Sequence, residues 1–517
     1  MGSLADVDER RQAVIDLGSN SFRLVVFTWR ENGRASWWKR TDEIHEAVRI
    51  GEGLDATHEL QPEPAERGLR MLELYAHFCR AVGIVDVRAV ATSAIRDAGN
   101  QAAFLEAARR RTWLEIEVLP REQEARYGYL AAVNSTTLAD GVALDIGGGS
   151  MQLTKVVGRH PEDARSWRMG AVRMTERFLE GKKTSAKQVK ALRAHVEKKL
   201  AIAEWLDGAG AHGGRLVGVG GAVRNLAGAA QLAAGAPLFT VQGVTITRDA
   251  LTDLIDRFLD LPAAERAKVD GIKEGRADVI LASALVIDTV MDVGGFDAIE
   301  ATEAGLREGV FFETLLAGTE PPLFDDVRRA SVLNLAAQYH PEFEHTEHVA
   351  ALALEMWDAL AQAGRHPGHP AERELLWAAG ILHDIGTAVD YDDHHKHSRY
   401  LVLNAGLPGF SARETALIGQ LVRYHRKGSP SLGDVEPLTV DGDEELLERG
   451  AALLRVAEQL ERARDQAVRE VRVRVDGGGA ELELAGDEDV TLPRLMAARE
   501  GELFERAFGV PLVLTEA

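Results

Sequence analysis

A chain of 517 residues exceeds what one ordinary core holds and points to about three or four domains. Its 45% hydrophobic and 27% charged residues are those of a folded protein, and it has no run of roughly 18 or more apolar residues that could span a bilayer. The formal net charge of -21 argues against general affinity for nucleic acid or anionic membrane, but leaves room for an anionic substrate held in a local basic channel and partly neutralised by Mg²⁺.

Residues 1 to about 10 read as a frayed polar start, and the opening MGSLADVDERRQAVID has no apolar core of a secretory signal. Cys79 is the single cysteine, so no intramolecular disulfide can form, and a reducing, cytoplasmic compartment is expected.

Two related phrases follow about 130 residues apart, Ala13-Val-Ile-Asp-Leu-Gly-Ser-Asn-Ser21 and Val142-Ala-Leu-Asp-Ile-Gly-Gly-Gly-Ser150. Each is an apolar run, an Asp, a Gly/Ser turn and another β-prone run, which reads as strand, tight turn, strand. Their recurrence predicts a duplicated α/β lobe, with lobe I over 11–136 and lobe II over 137–318. Between them the spacing predicts a helix over 63–82 and a buried strand from Val85 to Ala91. In the second lobe, 184–206 reads as one long charged helix and Leu216 to Leu226 as strand, glycine turn, helix.

Gly318 and the two prolines of Ala317-Gly-Thr-Glu-Pro-Pro-Leu-Phe324 mark a boundary. Beyond it, 325–466 is almost wholly helical in pattern and rich in histidine. The tail, 467–517, reads as a small α+β cap: a hairpin of Val471–Val475 and Glu481–Leu484 turned by Gly477-Gly-Gly479, a helix over about 492–507 and a last strand, Pro511 to Leu514.

The two Gly/Ser turns carry the first chemistry. Such a turn after a buried strand presents several backbone N–H groups in one concavity, and small side chains let a phosphate approach them. Gly18, Ser19, Asn20 and Ser21 in one turn, and Gly147, Gly148, Gly149 and Ser150 in the other, would grip a phosphate from two sides. Asp16 and Asp145 end their strands just before these turns, where a carboxylate can hold Mg²⁺, or Mn²⁺ in its place, or orient water.

The chain resembles the exopolyphosphatase/guanosine pentaphosphatase (Ppx/GppA) family, a branch of the actin-like phosphotransferase fold. The resemblance rests on Ile15-Asp-Leu-Gly-Ser-Asn-Ser-Phe-Arg-Leu24, Val48-Arg-Ile-Gly-Glu-Gly-Leu54, Ala91-Thr-Ser-Ala-Ile-Arg-Asp-Ala98, Arg121-Glu-Gln-Glu-Ala-Arg126, Leu144-Asp-Ile-Gly-Gly-Gly-Ser150 and Met169-Gly-Ala-Val-Arg173, in that order. It implies two actin-like (ribonuclease-H-like) lobes with the active site in their cleft, the two turns as phosphate loops, and Arg96 and Arg276 as phosphate-contacting arginines. It also implies that Glu124, directly before Ala125-Arg126, is the catalytic glutamate that places water, with Glu122 as the fallback. A homodimer is expected on the same ground. One position departs: where the family commonly has a second acidic residue, two past the loop serine, this chain has Gln152, an amide that cannot act as a base. Leu216 to Asn225 resembles the segment with which actin-fold kinases hold adenosine; a purely structural turn fits the residues equally well.

His345, His348, His383-Asp384, His394, His395, His397 and His425 fall within 345–425. The order His348, then His383-Asp384, then the later histidines resembles the HD-type metal phosphohydrolases, with Ala457-Glu458 standing where Ala-Asp is usual. Three readings are open: a second metal-dependent hydrolase centre, a degenerate HD-like fold, or histidines without a role. We favour the degenerate fold, in which His394, His397, Arg399, His425, Arg426 and Lys427 line a channel for a long polyanion.

These features together predict Mg²⁺-dependent, processive release of terminal orthophosphate from inorganic polyphosphate. Hydrolysis of the terminal phosphate of guanosine pentaphosphate is the first alternative, and an actin-like ATP-binding kinase or regulator the second.

Overall fold

The computed structural model of the protein describes residues 9–516 apart from 180, 182, 212, 340, 341, 477, 487 and 488. It divides into two compact units, one comprising residues up to Glu31 with Trp38–Val327, the other Asn32–Trp37 with Arg328 onward. The first eight residues of the polar start and Gly477 of the tail hairpin's turn lie outside the described residues.

The first unit holds two sheets of the same design. Strands β1 (Arg10–Leu17), β2 (Phe22–Arg30), β3 (Trp37–Glu46), β4 (Asp86–Ala91) and β5 (Ile116–Val118) lie in the order β3-β2-β1-β4-β5. Strands β6 (Gly141–Ile146), β7 (Met151–Val157), β8 (His160–Trp167), β9 (Arg215–Val219), β10 (Thr245–Thr247) and β11 (Ala298–Ala301) lie in the order β10-β11-β9-β6-β7-β8. In each, the first strand pairs antiparallel with the second and parallel with the fourth. The two halves thus share a topology, and the recurrent phrase occupies the same place in both: the hairpin between a sheet's first two strands.

Helix Arg121–Ser135 carries no apolar stripe because nearly every side of it is covered; Ala125 and all residues from Tyr127 to Ser135 are buried. It packs with helix Leu306–Leu315 in a core that also takes Val14, Val25, Val90, Ala143 and Val217 from both sheets. The contact is closest at Gly309, where any Cβ would lie 2.0 Å from the Tyr127 carbonyl oxygen. The pair is therefore a fixed axle between the lobes, and the first turn of each helix reaches the cleft.

In the second unit, helices Phe343–Gln362, Pro370–Leu382, His394–Ala405, Ala412–Tyr424 and Asp443–Leu460 surround an apolar core. That core runs without a break into the tail, where β12 (Glu470–Asp476) pairs antiparallel with β13 (Gly479–Ala485), and β13 pairs parallel with β14 (Leu512–Glu516). Leu482, Leu484, Phe504 and Phe508 belong to the same cluster as Trp357 and Leu453, so the tail completes the helical unit's core.

Two helices depart from the expected spans. The helix expected over 184–206 ends at Leu200, and a separate 3-10 turn covers Glu204–Leu206. The one expected over 492–507 is two, Thr491–Ala497 and Gly501–Phe508, separated by a 3-10 turn at Ala498–Glu500. No helix among the described residues is long and apolar enough to cross a membrane.

Candidate functional site

The two Gly/Ser turns close in the same way. Gly18 N–H donates to the Ser21 carbonyl at 3.2 Å, and Gly147 N–H donates to the Ser150 carbonyl at 2.9 Å. They also meet face to face: a Cβ at Gly149 would lie 2.7 Å from Ser19 Oγ and 2.5 Å from Ser93 Oγ. Ser19 Oγ and Ser93 Oγ share a hydrogen bond of 3.0 Å. The loops form opposing lips of one cavity, about 100 Å³, lined also by Asp16, Arg23, Glu124, Asp145, Arg224, Arg276 and Arg307.

Glu124 lies in the first turn of the axle helix and is 5% exposed. Both of its oxygens are held. Arg96 Nη1 donates to Oε2 at 2.6 Å, and Ser150 Oγ donates to Oε1 at 2.8 Å. Arg96 Nη1 is itself oriented by the Leu119 carbonyl at 2.9 Å. Arg96 therefore bonds to the glutamate from lobe I while Ser150 fixes it from lobe II, so a carboxylate legible from its motif is clamped by both halves. Glu122, the fallback, is an exposed first-turn residue away from this cavity.

Asp16, Glu124 and Asp145 place three carboxylates on one cavity. Burial, then the charges of Glu124 and Asp16, push the Asp145 carboxyl up to about 7. Burial likewise raises Asp16, against the pull of Arg307, whose Nη1 lies 3.4 Å from Asp16 Oδ2. A partly buried set of hard oxygens that discourages its own ionisation is the donor chemistry a divalent cation relieves, so these residues fit Mg²⁺ or Mn²⁺. Gln152 stands opposite Asp145 across β6 and β7, is 2% exposed, and donates to Ser166 Oγ at 3.3 Å, outside the cavity lining.

Four arginines, Arg23, Arg224, Arg276 and Arg307, line this cavity and also an adjoining one of about 410 Å³. Burial and the neighbouring Arg307 lower Arg23 to about 10, and burial with Arg224 and Arg307 lowers Arg276 to about 10. Guanidinium groups crowded until they depress one another form a site for polyanions. The N-termini of helices Gly221–Ala233 and Leu306–Leu315 add backbone N–H groups at the same lining. The sequence reading missed Arg23, Ser93, Arg224 and Arg307. Arg23 and Ser93 sit inside the family-like motifs, and Arg224 follows the glycine turn, but nothing local distinguishes their side chains from solvated ones. Arg307 comes from an unremarked segment nearly 300 residues from Asp16.

The residues read as a polyanion channel in the helical unit are placed differently. His394 is 4% exposed and His425 1%, and their Nε2 atoms face each other at 3.1 Å. Lys427 pairs with Asp393 at 3.1 Å, Arg399 Nε donates to Gln420 Oε1 at 2.7 Å and pairs also with Asp434, and Arg426 lies over the Tyr391 ring. His397 is half-buried. Arg399 and Lys427 are here answered by acidic partners, Arg426 by an aromatic ring, and the two central histidines turn inward, so these residues do not form an open basic groove within this unit.

A family model described as the Ppx/GppA phosphatase family matches residues 39–317, and another, Ppx/GppA phosphatase, domain III, matches residues 327–497. A Vibrio vulnificus (strain YJ016) protein named guanosine-5'-triphosphate,3'-diphosphate pyrophosphatase is 28% identical over 510 residues, covering 97% of either chain. The crystal structure of an Aquifex aeolicus Ppx/GppA family member is 28% identical with a TM-score of 0.50, covering 60% of this chain and 99% of that one. A Cytophaga hutchinsonii exopolyphosphatase structure, at 21% identity and a TM-score of 0.53 over 59% of this chain and 98% of its own, shares the fold.

Proposed function

The chain belongs to the Ppx/GppA phosphatase family, and from that premise we propose that it hydrolyses the terminal phosphoanhydride of inorganic polyphosphate, releasing orthophosphate. The observation that carries this reading is the juxtaposition of the doubly held Glu124 with two opposed phosphate loops and four converging arginines.

Phosphoryl transfer asks chiefly for positioning and charge neutralisation. The loop N–H groups and Ser19, Asn20, Ser21 and Ser150 would hold the terminal phosphate. Glu124, whose two oxygens retain lone pairs after accepting from Arg96 and Ser150, would orient a water in line with the departing group and take its proton. Arg23, Arg224, Arg276 and Arg307 would neutralise the next phosphates along the chain, which the adjoining cavity has room to accept. Asp16 and Asp145 would hold Mg²⁺, which when bound supplies further neutralisation of the phosphate oxygens.

The same cavity favours a second reading, hydrolysis of guanosine pentaphosphate, because about 410 Å³ beside the phosphate loops also suits a nucleoside and the Vibrio relative bears that activity in its name. The helical unit fits a domain of HD-like descent, and the single cysteine fits a cytoplasmic setting. An ATP-dependent kinase would need tight ATP binding and transfer to an acceptor; calorimetry with ATP tests that directly.

The deciding assay follows orthophosphate release from long-chain polyphosphate with Mg²⁺, wild type beside Glu124→Gln. Release that collapses in the variant is expected, and equal release by both would overturn the role of Glu124. A wild type inactive on polyphosphate but active on guanosine pentaphosphate would establish the second reading.

A further inference from the structure

The helical unit buries a group of side chains that the cleft chemistry does not use. His345 from helix Phe343–Gln362, His383 and Asp384 just past helix Pro370–Leu382, His425 just past helix Ala412–Tyr424, and Glu458 from helix Asp443–Leu460 form two overlapping groups, His345–His383–Glu458 and His383–Asp384–His425, joined at His383, with His394 at their edge. All are at most 6% exposed.

The hydrogen bonds aim bare lone pairs inward. His383 Nδ1 donates to the Gly380 carbonyl at 2.7 Å, His425 Nδ1 to Val422 at 2.7 Å, and His394 Nδ1 to Tyr391 at 2.9 Å. A neutral imidazole that donates through Nδ1 has only an acceptor at Nε2. The three Nε2 atoms face one another and the carboxylates. Each carboxylate gives one oxygen to an arginine outside the cluster: Asp384 Oδ2 accepts from Arg464 at 2.8 Å and Glu458 Oε1 from Arg462 at 3.2 Å. The other oxygen of each points in. Neither ring nitrogen of His345, nor His383 Nε2, nor Glu458 Oε2 has a hydrogen-bond partner.

The spacing is that of a coordination shell. Nitrogen and oxygen ligands about 2.0–2.1 Å from a common ion lie about 3.0–3.4 Å from one another. Here His345 Nε2 is 3.2 Å from Glu458 Oε2, and His383 Nε2 is 3.5 Å from Glu458 Oε2 and 3.7 Å from Asp384 Oδ1. His394 Nε2 borders the group, 3.1 Å from His425 Nε2 and 3.3 Å from Asp384 Oδ1. A single proton can bridge one such pair, but it leaves the remaining acceptors opposed and dry. Leaving several buried acceptors unmatched is costly, so the arrangement calls for a cation.

We propose that His345, His383, Asp384, His425 and Glu458 bind a divalent transition-metal ion of the Zn²⁺/Mn²⁺/Fe²⁺ class, in a site separate from the cleft. Imidazoles with carboxylates and no thiolate select that class over Mg²⁺ and Ca²⁺, which take all-oxygen shells. Glu458 is the residue that completes the site. An aspartate there would be one methylene shorter, and its glutamate, which in sequence looked like a defect, reaches His345 and His383.

The test uses the full chain stripped by a chelator. Zn²⁺ and Mn²⁺ are titrated by calorimetry, and bound metal is counted by mass spectrometry after gel filtration. The chain carrying Asp145→Asn, which impairs the cleft as a competing binder, retains about one equivalent or more of transition metal and unfolds at a higher temperature with it. His383→Asn combined with Glu458→Gln abolishes that binding and the thermal shift. Arg464→Gln, at a side chain 38% exposed and so safe for folding, lowers affinity about 10–100-fold by freeing Asp384. A stripped Asp145→Asn chain that takes up no transition metal overturns the proposal, as does a double variant that binds as the parent does. Should the double variant fail to fold, unchanged affinity in Arg464→Gln overturns it instead.

Discussion

The cleft of the α/β unit and the histidine cluster of the helical unit are both places where like groups crowd together, and they are crowded in opposite senses. The cleft is lined by four arginines, and burial with the charge of neighbouring arginines lowers Arg23, Arg224 and Arg276, while two loops add hydrogen-bond donors, so its excess is of positive charge and N–H groups awaiting an anion. The cluster brings together imidazole and carboxylate lone pairs with their protons and arginines turned outward, so its excess is of acceptors awaiting a cation. The cleft is lined by loops that strand ends and helix starts leave open. The cluster is assembled from helix interiors and ends and is almost fully closed. The contrast teaches that the unmatched partner, more than residue type, tells what a site will take, since histidine and arginine runs looked alike as basic features in sequence.

The sharpest break in the comparison is at Glu124. Glu124→Gln keeps the shape and the Arg96 contact but removes the proposed base, and kcat should fall about 10²–10⁴-fold. Its transition-metal content, measured on the same preparation, should be unchanged, since the cluster lies on other elements. Next is Arg307→Gln, which removes one of the crowded cations. We expect kcat/KM to fall about 10–100-fold with a weaker dependence on salt, read from rates across a salt series. An unchanged salt dependence would mean that Arg307 does not meet the substrate.

The smallest effect concerns the joint that holds the cleft in shape. Asp97 of lobe I meets Arg168 at 2.8 Å and Arg173 at 3.3 Å, both from lobe II. Burial raises its carboxyl, but the hydrogen bond and charge of Arg168, with Arg173 and Arg96, outweigh burial and hold it below the usual 3.8. The folded state therefore binds this proton less readily than the unfolded chain. The stabilisation is complete above 3.8 and disappears as pH falls through the lower folded value. Asp97→Asn should cost about 1–3 kcal/mol at neutral pH in urea unfolding of the α/β unit. The gap to wild type should narrow on acidification below that value; a gap constant with pH would show that the charge plays no part.

Much of the cleft could be read in advance because its signals are local. The phrases around Asp16 and Asp145 specify strand, tight turn and strand by themselves, and Glu124 stands in a motif next to Ala125-Arg126. Both Gly/Ser turns, the strand from Asp86 and the helix from Pro62 occur close to where the residue pattern puts them. The short strand Ala298–Ala301 was not legible, because it is four residues long and its pairing with Val217 and Gly218 comes from far away in the chain. Arg307 was hidden for the same reason, since its approach to Asp16 follows from how helix Leu306–Leu315 packs on Arg121–Ser135.

By itself, then, the sequence determined the duplicated lobes, the two loops and the glutamate, through strand patterning and turn chemistry that act within about ten residues. Tertiary structure alone decided which arginines meet across the cleft, that His394 and His425 turn inward, and that Glu458 reaches His345 and His383. Those outcomes depend on helix packing that brings together side chains separated by tens to hundreds of residues, and burial there sets which lone pairs and charges remain unmatched.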